Sequence, residues 1–515
     1  MTRTRQKFLS LLCLGLCCIN CEEKTKTMQP TYTETYRPQY HFSPPQAWMN
    51  DPNGMVYFEG EYHLFYQYYP DGMVWGPMHW GHAVSKDMLH WEHLPIALYP
   101  DALGYIFSGS AVVDWNNSSG FGNDNQPPLV AIYTYHDPKG EAKGALDFQT
   151  QGIAYSLDKG RTWTKHTGNP VLPNPGIKDF RDPKVLWDKA RQRWVMTLAV
   201  KDRVAFYTST NLIDWEHQSD FGTSLGAHGG VWECPDLFPL TAANGTTRWV
   251  LLVSINPGGP QGGSATQYFI GDFDGEKFTP QDAKTRWMDW GSDNYAGVTF
   301  SDIPNSDGRR ILMGWMSNWD YANQVPTTPW RSAMTLPREL GLSTDATGIH
   351  ALTSTIVDEI DALQGPETVL ELKDTLRLPS QQIRLDFPLP ETQDWQLSLT
   401  NDTRETFVVG ASGHSLYIDR SNSGDNSFST AFAKTMKVPL DFITPHHLQL
   451  YVDTSSVEVL INGNQIVATT LVFPTTPLLQ LATTNIATGS YRIIQRVWDS
   501  LPSSFDLGKK TLTFK

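Results

Sequence analysis

The sequence predicts an all-β protein: a five-bladed β-propeller followed by a C-terminal β-sandwich. Three observations point there. Amphipathic helical stripes are almost absent before residue 355. A strand–turn–Trp unit recurs three times in the first half of the chain. After residue 365, short alternating strands succeed one another without helices.

The N-terminus stands apart. Arg3, Arg5 and Lys7 precede an apolar run, Phe8–Ile19, too short to span a bilayer. Residues 1–21 therefore read as a signal peptide. Four of the five cysteines lie here, so a disulfide framework is not expected in the mature chain. Cys21 followed by Glu22-Glu23-Lys24 resembles a bacterial lipoprotein junction, although Asn20 departs from the usual small residue before it. The expectation is export as a cell-envelope lipoprotein, with plain secretion as the alternative. A lipid on Cys21 would be the sole membrane contact. Residues 22–35 are polar, Thr-rich and without periodicity, which reads as a tether.

Residues 36–355 hold the repeats. Ser85–Trp91, Ser156–Trp163 and Ser209–Trp215 each follow a short strand and end a polar turn on an indole. About 320 residues at ~50–70 per blade make five blades. Residues 356–365 form a linker with a short helix over Ile356–Leu363. From 366 to 515 the strands Ile383–Phe387, Trp395–Leu399, Phe407–Val409, Leu416–Asp419 and Leu448–Val452 alternate. Asn462-Gly463 marks a tight hairpin after Ser456–Ile461. No acid or histidine cluster appears in this part.

The 515 residues exceed one small core, and two domains are the default. A net charge of −14 with no basic cluster argues against nucleic acid as a partner. Most of the 18 Trp fill β cores, but rings beside a polar cleft also suit the apolar face of a sugar.

Three acidic stretches carry candidate chemistry. The first is Trp48-Met49-Asn50-Asp51-Pro52-Asn53-Gly54, where Pro52 and Gly54 place Asp51 on a stiff turn before a strand. Alone, this stretch also fits an Asx-turn. The second is Asp179-Phe180-Arg181-Asp182-Pro183, where Arg181 and Asp182 could be a local ion pair. The third is Val231-Trp232-Glu233-Cys234-Pro235-Asp236. Each puts an acid at the start of a strand. In a propeller such starts converge on the axis, so three blades can present their acids to one pocket. His79 and His82 lack partners at ligand spacing and read as structural, so no metal or cofactor is expected. Cys234, with no evident histidine partner, reads as a packed thiol.

With those stretches go Phe65-Tyr66-Gln67, Trp75–His82, Ile106-Phe107-Ser108-Gly109-Ser110 and Gly314–Trp319. Together they make the chain resemble glycoside hydrolase family 32, the β-fructosidases, from about Tyr36 onward, and especially the bacterial levanases within it. None of the three acidic motifs departs from the family pattern. The resemblance implies a five-bladed propeller and sandwich, with Asp51 as nucleophile, Glu233 as general acid/base and Asp182 as transition-state stabiliser. It implies Trp48, Asn50, Gln67, Trp75, Phe107, Ser108, Arg181 and Trp315 as substrate-binding residues.

Those roles make physical sense. C2 of a fructofuranoside is a ketal carbon, and cleavage builds an oxocarbenium-like centre there. One carboxylate must be ionised to attack it, so Arg or amide donors are expected beside Asp51. Another must keep its proton for the leaving oxygen. The expected activity is retaining cleavage of fructans (levan or inulin) and sucrose, exo-acting with release of fructose. An endo-levanase is the alternative; a non-catalytic fructan-binding propeller is the rival from another class.

Overall fold

The computed structural model describes residues 32–123, 126–391, 394–440 and 443–498. The expected signal peptide, Cys21, most of the tether and the last residues of the sandwich span lie outside the described residues. The tether reading fails at its C-terminal end. Tyr32 is buried, stacks on Trp498 at 4.3 Å between ring centroids, and shares a 3.0 Å hydrogen bond with His93. One aromatic with a ring partner outweighs the polar composition around it.

Five sheets of four or five strands form the first part of the fold. Their innermost strands are Ala47–Phe58, Tyr105–Val113, Phe180–Asp188, Val231–Thr241 and Tyr295–Thr299. Each packs on the next, and the fifth returns to the first. There Tyr57 N–H donates to Ser301 O and Ser301 N–H to Met55 O, both at 2.9 Å. A parallel pairing of Ala47 and Trp48 with Trp330 and Arg331 adds to the closure.

The strand–turn–Trp repeat joins the third and fourth strands of the first three blades. In each, a serine hydroxyl donates to the Asp or Asn two residues on: Ser85 to Asp87, Ser156 to Asp158, Ser209 to Asn211. The indole of Trp91, Trp163 or Trp215 then donates back to a carbonyl of the turn at 2.8–3.0 Å. The repeated residues encode one local structure, an Asx-type turn pinned by an indole.

The last part is a sandwich of two six-stranded sheets. Ile383–Pro388 and Trp395–Thr400 alternate buried and half-buried side chains. Leu385, Phe387, Leu397, Leu399, Val409 and Ile418 interleave between the sheets with no exposed surface. Each such side chain contributes about 1.5–3 kcal/mol of burial. The Asn462-Gly463 hairpin has a four-residue loop rather than a two-residue one, because Ile461 pairs with Ile466. Its two strands, Ser456–Ile461 and Ile466–Leu471, are buried on both faces, since their outer face packs on the propeller. The linker helix is a 3₁₀ segment, Asp358–Leu363, anchored by Ile360 and Leu363.

Candidate active site

All five inner strands break register near the start, at the same end of the propeller. The irregularities fall between Met49 and Pro52, Ile106 and Gly109, Arg181 and Lys184, Glu233 and Asp236, and Tyr295 and Val298. A bulge leaves residues outside the ladder and re-aims their side chains. Pro52, Pro183 and Pro235 fit there because no ladder donor is needed of them. Asp182 and Cys234 adopt left-handed backbone, φ 64° and 44°, a conformation that non-glycine residues rarely hold. Gly54, at φ 56°, admits no side chain: a Cβ would sit 2.7 Å from the Phe65 and Trp80 rings. The turn expected at Asp51 is thus a bulged stretch inside a continuous strand, Ala47–Phe58.

The bulges bring one or two polar groups from every blade together. Asp51 accepts from Asn50 Nδ2 at 3.0 Å and from Ser108 Oγ of the second blade at 2.8 Å. Asp182 accepts the Cys234 backbone N–H at 3.0 Å. The Cys234 thiol lies 3.6 Å from Oδ2 of both Asp51 and Asp182. Glu233, the next residue back, is held on Oε1 by Arg181 Nε and Nη2 at 3.1 and 3.0 Å. Its Oε2 accepts the hydroxyl of Tyr295 from the fifth blade.

Of the Arg or amide donors expected beside Asp51, the structure supplies the amide, Asn50; Arg181 lies on Glu233, with its Nη1 on Asp179 at 2.7 Å. Among the described residues, the side-chain donors on Asp51 are the Asn50 amide, the Ser108 hydroxyl and the Cys234 thiol. Burial, then the charge of Glu233, raises its carboxyl above the usual value, while Asn50 and Ser108 pull it back. Burial pushes Asp182 up to about 7; Arg181 opposes this, and the charges of Glu233 and Asp51 add to it. Burial, reinforced by the three carboxylates, raises the Cys234 thiol well above its usual range, so it stays neutral between them.

Residues 41–352 match the family described as "Glycosyl hydrolases family 32 N-terminal domain", and residues 353–497 match "Glycosyl hydrolases family 32 C terminal". The chain belongs to glycosyl hydrolase family 32. It is 49% identical over 465 residues to the levanase of Bacillus subtilis, covering 86% of this chain and 67% of that protein. It is 40% identical over 514 residues to the extracellular exo-inulinase of Aspergillus niger, covering 90% and 94%. The crystal structure of exo-inulinase from Aspergillus awamori superposes with a TM-score of 0.83 at 36% identity, over 91% of this chain and all of that one. The protein is thus a glycosidase with the propeller-plus-sandwich architecture.

In this family 32 enzyme the residues singled out from sequence are not equally accessible. Trp48 and Trp315 are sealed, at 0% exposure. Trp48 Nε1 donates to Asn50 Oδ1 at 2.8 Å, which backs the amide that holds Asp51. Trp75 is 39% exposed and meets Phe107 edge-on at 5.9 Å. Gln67 Nε2 and Trp315 Nε1 are buried donors with no hydrogen-bond partner among the described residues. His82 shares a 3.1 Å hydrogen bond with His63, while His79 Nδ1 bonds Pro77 O at 2.9 Å. Sequence reading missed Tyr295. It sits in Gly291–Gly297, a run that reads as a turn, and only the closed ring reveals its contact.

Proposed function

We propose that the enzyme is a retaining β-fructosidase acting on fructans and sucrose, and exo-acting with fructose as product. The observation that carries this reading is the carboxylate cluster: Asp51 and Asp182 flank one neutral thiol, and Glu233, next in the chain, is held by Arg181 and Tyr295.

Glu233 gives a proton to the glycosidic oxygen as the C2–O bond breaks, and an Asp51 oxygen bonds to C2. Glu233 then takes a proton from water, the water oxygen attacks C2, and Asp51 leaves as carboxylate. Asp182 forms no bond to C2 and holds sugar hydroxyls near the developing charge. The crowded carboxylates repel one another in the free enzyme. A cationic sugar centre relieves that repulsion in the transition state more than in the ground state. Gln67 and Trp315, both buried, back the pocket from behind rather than meet sugar hydroxyls directly. Arg181, Asn50 and Ser108 set the acids, Trp48 backs Asn50, and Trp75 with Phe107 forms an apolar wall. The names of the levanase and exo-inulinase relatives support fructan as substrate, and that of the exo-inulinase supports exo action. The N-terminal segment is proposed to direct export, with Cys21 lipidated.

Resolving the first products from levan, inulin and sucrose tests the reading. Free fructose from the outset is expected. A ladder of oligosaccharides would replace exo with endo action, and intact polymer with measurable binding would remove catalysis altogether.

A further inference from the structure

Resting on the β-fructosidase reading, we propose that Asn323 and Arg331 are positioning residues that strap the loop bearing Trp75 to the fifth blade. The strap sets how well the enzyme takes a sugar beyond the scissile bond, and so its preference for fructan and sucrose over simple fructosides.

Trp75 lies in residues 70–78, the loop between the strands Glu61–Tyr69 and His79–Ser85 of the first blade. The neighbours of this loop place it beside the acids. Gly72 O accepts the N–H of Trp48, three residues before Asp51, at 2.9 Å. The Trp75 ring meets Phe107, and the next residue, Ser108, bonds Asp51. A sugar joined to a fructosyl unit at Asp51 thus has this pair of rings next to it, and an indole suits its apolar face.

The two rings are held differently. Phe107 stacks on His136 at 4.3 Å, and its carbonyl accepts Trp80 Nε1–H at 2.9 Å. The Trp75 ring is exposed and meets Phe107 edge-on. Packing fixes Phe107, whereas Trp75 depends on the backbone that carries it.

That backbone is held from across the seam between the first and fifth blades. Asn323 Oδ1 accepts the Trp75 N–H at 2.9 Å. Arg331 Nη1 donates to Met73 O at 2.6 Å and to Asn323 O, and Nη2 donates to Val325 O at 2.8 Å. One guanidinium so joins both loops, and residues 323–325 are tied to residues 73–75. Arg331 is itself fixed by its parallel pairing with Trp48. On its inner side the loop closes over Tyr69, where a Cβ on Gly76 would lie 2.5 Å from the ring. A platform held this way stacks on a sugar without first losing conformational freedom. Among the described residues, no hydrogen bond joins Asn323 or Arg331 to Asp51, Asp182 or Glu233, so the strap acts on the leaving sugar rather than on C2.

The test compares substrates with and without a second sugar. Methyl β-D-fructofuranoside undergoes the same C2–O cleavage but releases methanol; levanbiose, 1-kestose and sucrose release a sugar. In Asn323→Ala, kcat/KM for the sugar-linked substrates that the parent cleaves should fall about tenfold, the worth of one hydrogen bond. That for the methyl fructoside should stay within about twofold. Arg331→Met should lose at least as much on the sugar-linked substrates. Asn323 is exposed, so its variant keeps the fold and decides the matter if Arg331→Met does not fold. In a Trp75→Ala background, Asn323→Ala should add little, because the residue it positions is gone. Equal losses with and without a second sugar, or no loss on any substrate, would overturn the proposal. So would a further loss of about tenfold in the Trp75→Ala background. A parent enzyme that leaves all four substrates intact would remove the β-fructosidase reading, and the role of the strap with it.

Discussion

Ser108 of the second blade donates its hydroxyl to Asp51 of the first at 2.8 Å, across the seam between two inner strands. The hydrogen bond favours the ionised carboxyl against the burial that raises it. In Ser108→Ala, Asp51 should hold its proton to higher pH, and attack needs the ion. The acid limb of kcat/KM should move up by about one unit, with roughly tenfold loss at the old optimum. Steady-state rates from pH 3 to 8 check it.

Asp182 marks a cost of the site. Its carboxyl is raised to about 7 against a usual value near 4. An acid raised on folding destabilises the native state once pH exceeds its unfolded value, and the penalty grows until the folded value is passed. Asp182→Asn should therefore be more stable than the parent at pH 7 and above, by up to about 4 kcal/mol, and melt at higher temperature. The gain should vanish below pH 4, and turnover should be lost. Thermal melts across pH read the effect.

His41 ties the propeller to the sandwich. It lies 2.8 Å from Asp453 and 3.0 Å from Glu458, fully buried. Burial lowers its pKa, but the hydrogen bonds and charges of these acids more than offset this and raise it to about 9. A histidine raised on folding contributes stability fully below its unfolded value near 6.5, and loses it as pH climbs through 9. Stability should fall by on the order of 3 kcal/mol between pH 6.5 and 9. That slope should be missing in His41→Gln; denaturant titrations at both pH values measure it.

Leu397, with no exposed surface at the centre of the sandwich, should behave as a pure packing residue. Leu397→Ala should cost about 2–5 kcal/mol. The folded fraction should keep normal kcat, which stopped-assay activity after urea titration can separate.

The residues that were legible in the sequence are those whose signal is local. Pro52, Pro183 and Pro235 mark the irregular points of three inner strands, because a residue without N–H cannot donate to the ladder; the first was legible as a turn, and the structure makes it a bulge. The Ser–Asp–Trp turns are legible because one segment supplies donor, acceptor and indole. Long-range pairs were not legible. Nothing near Arg181 says that it reaches Glu233 rather than Asp51, and nothing near Tyr32 announces Trp498. Likewise Tyr295 gains meaning only once the fifth blade closes on the first.

The central claim is that Asp51 bonds to the sugar while Glu233 handles the proton. Rapid quenching of the enzyme with substrate, then peptide mass spectrometry, tests it most directly. The peptide containing Asp51 should gain the mass of one anhydrofructose on that carboxyl. A fructosyl group on another residue, or its absence while the first product is the inverted α anomer, would contradict the account.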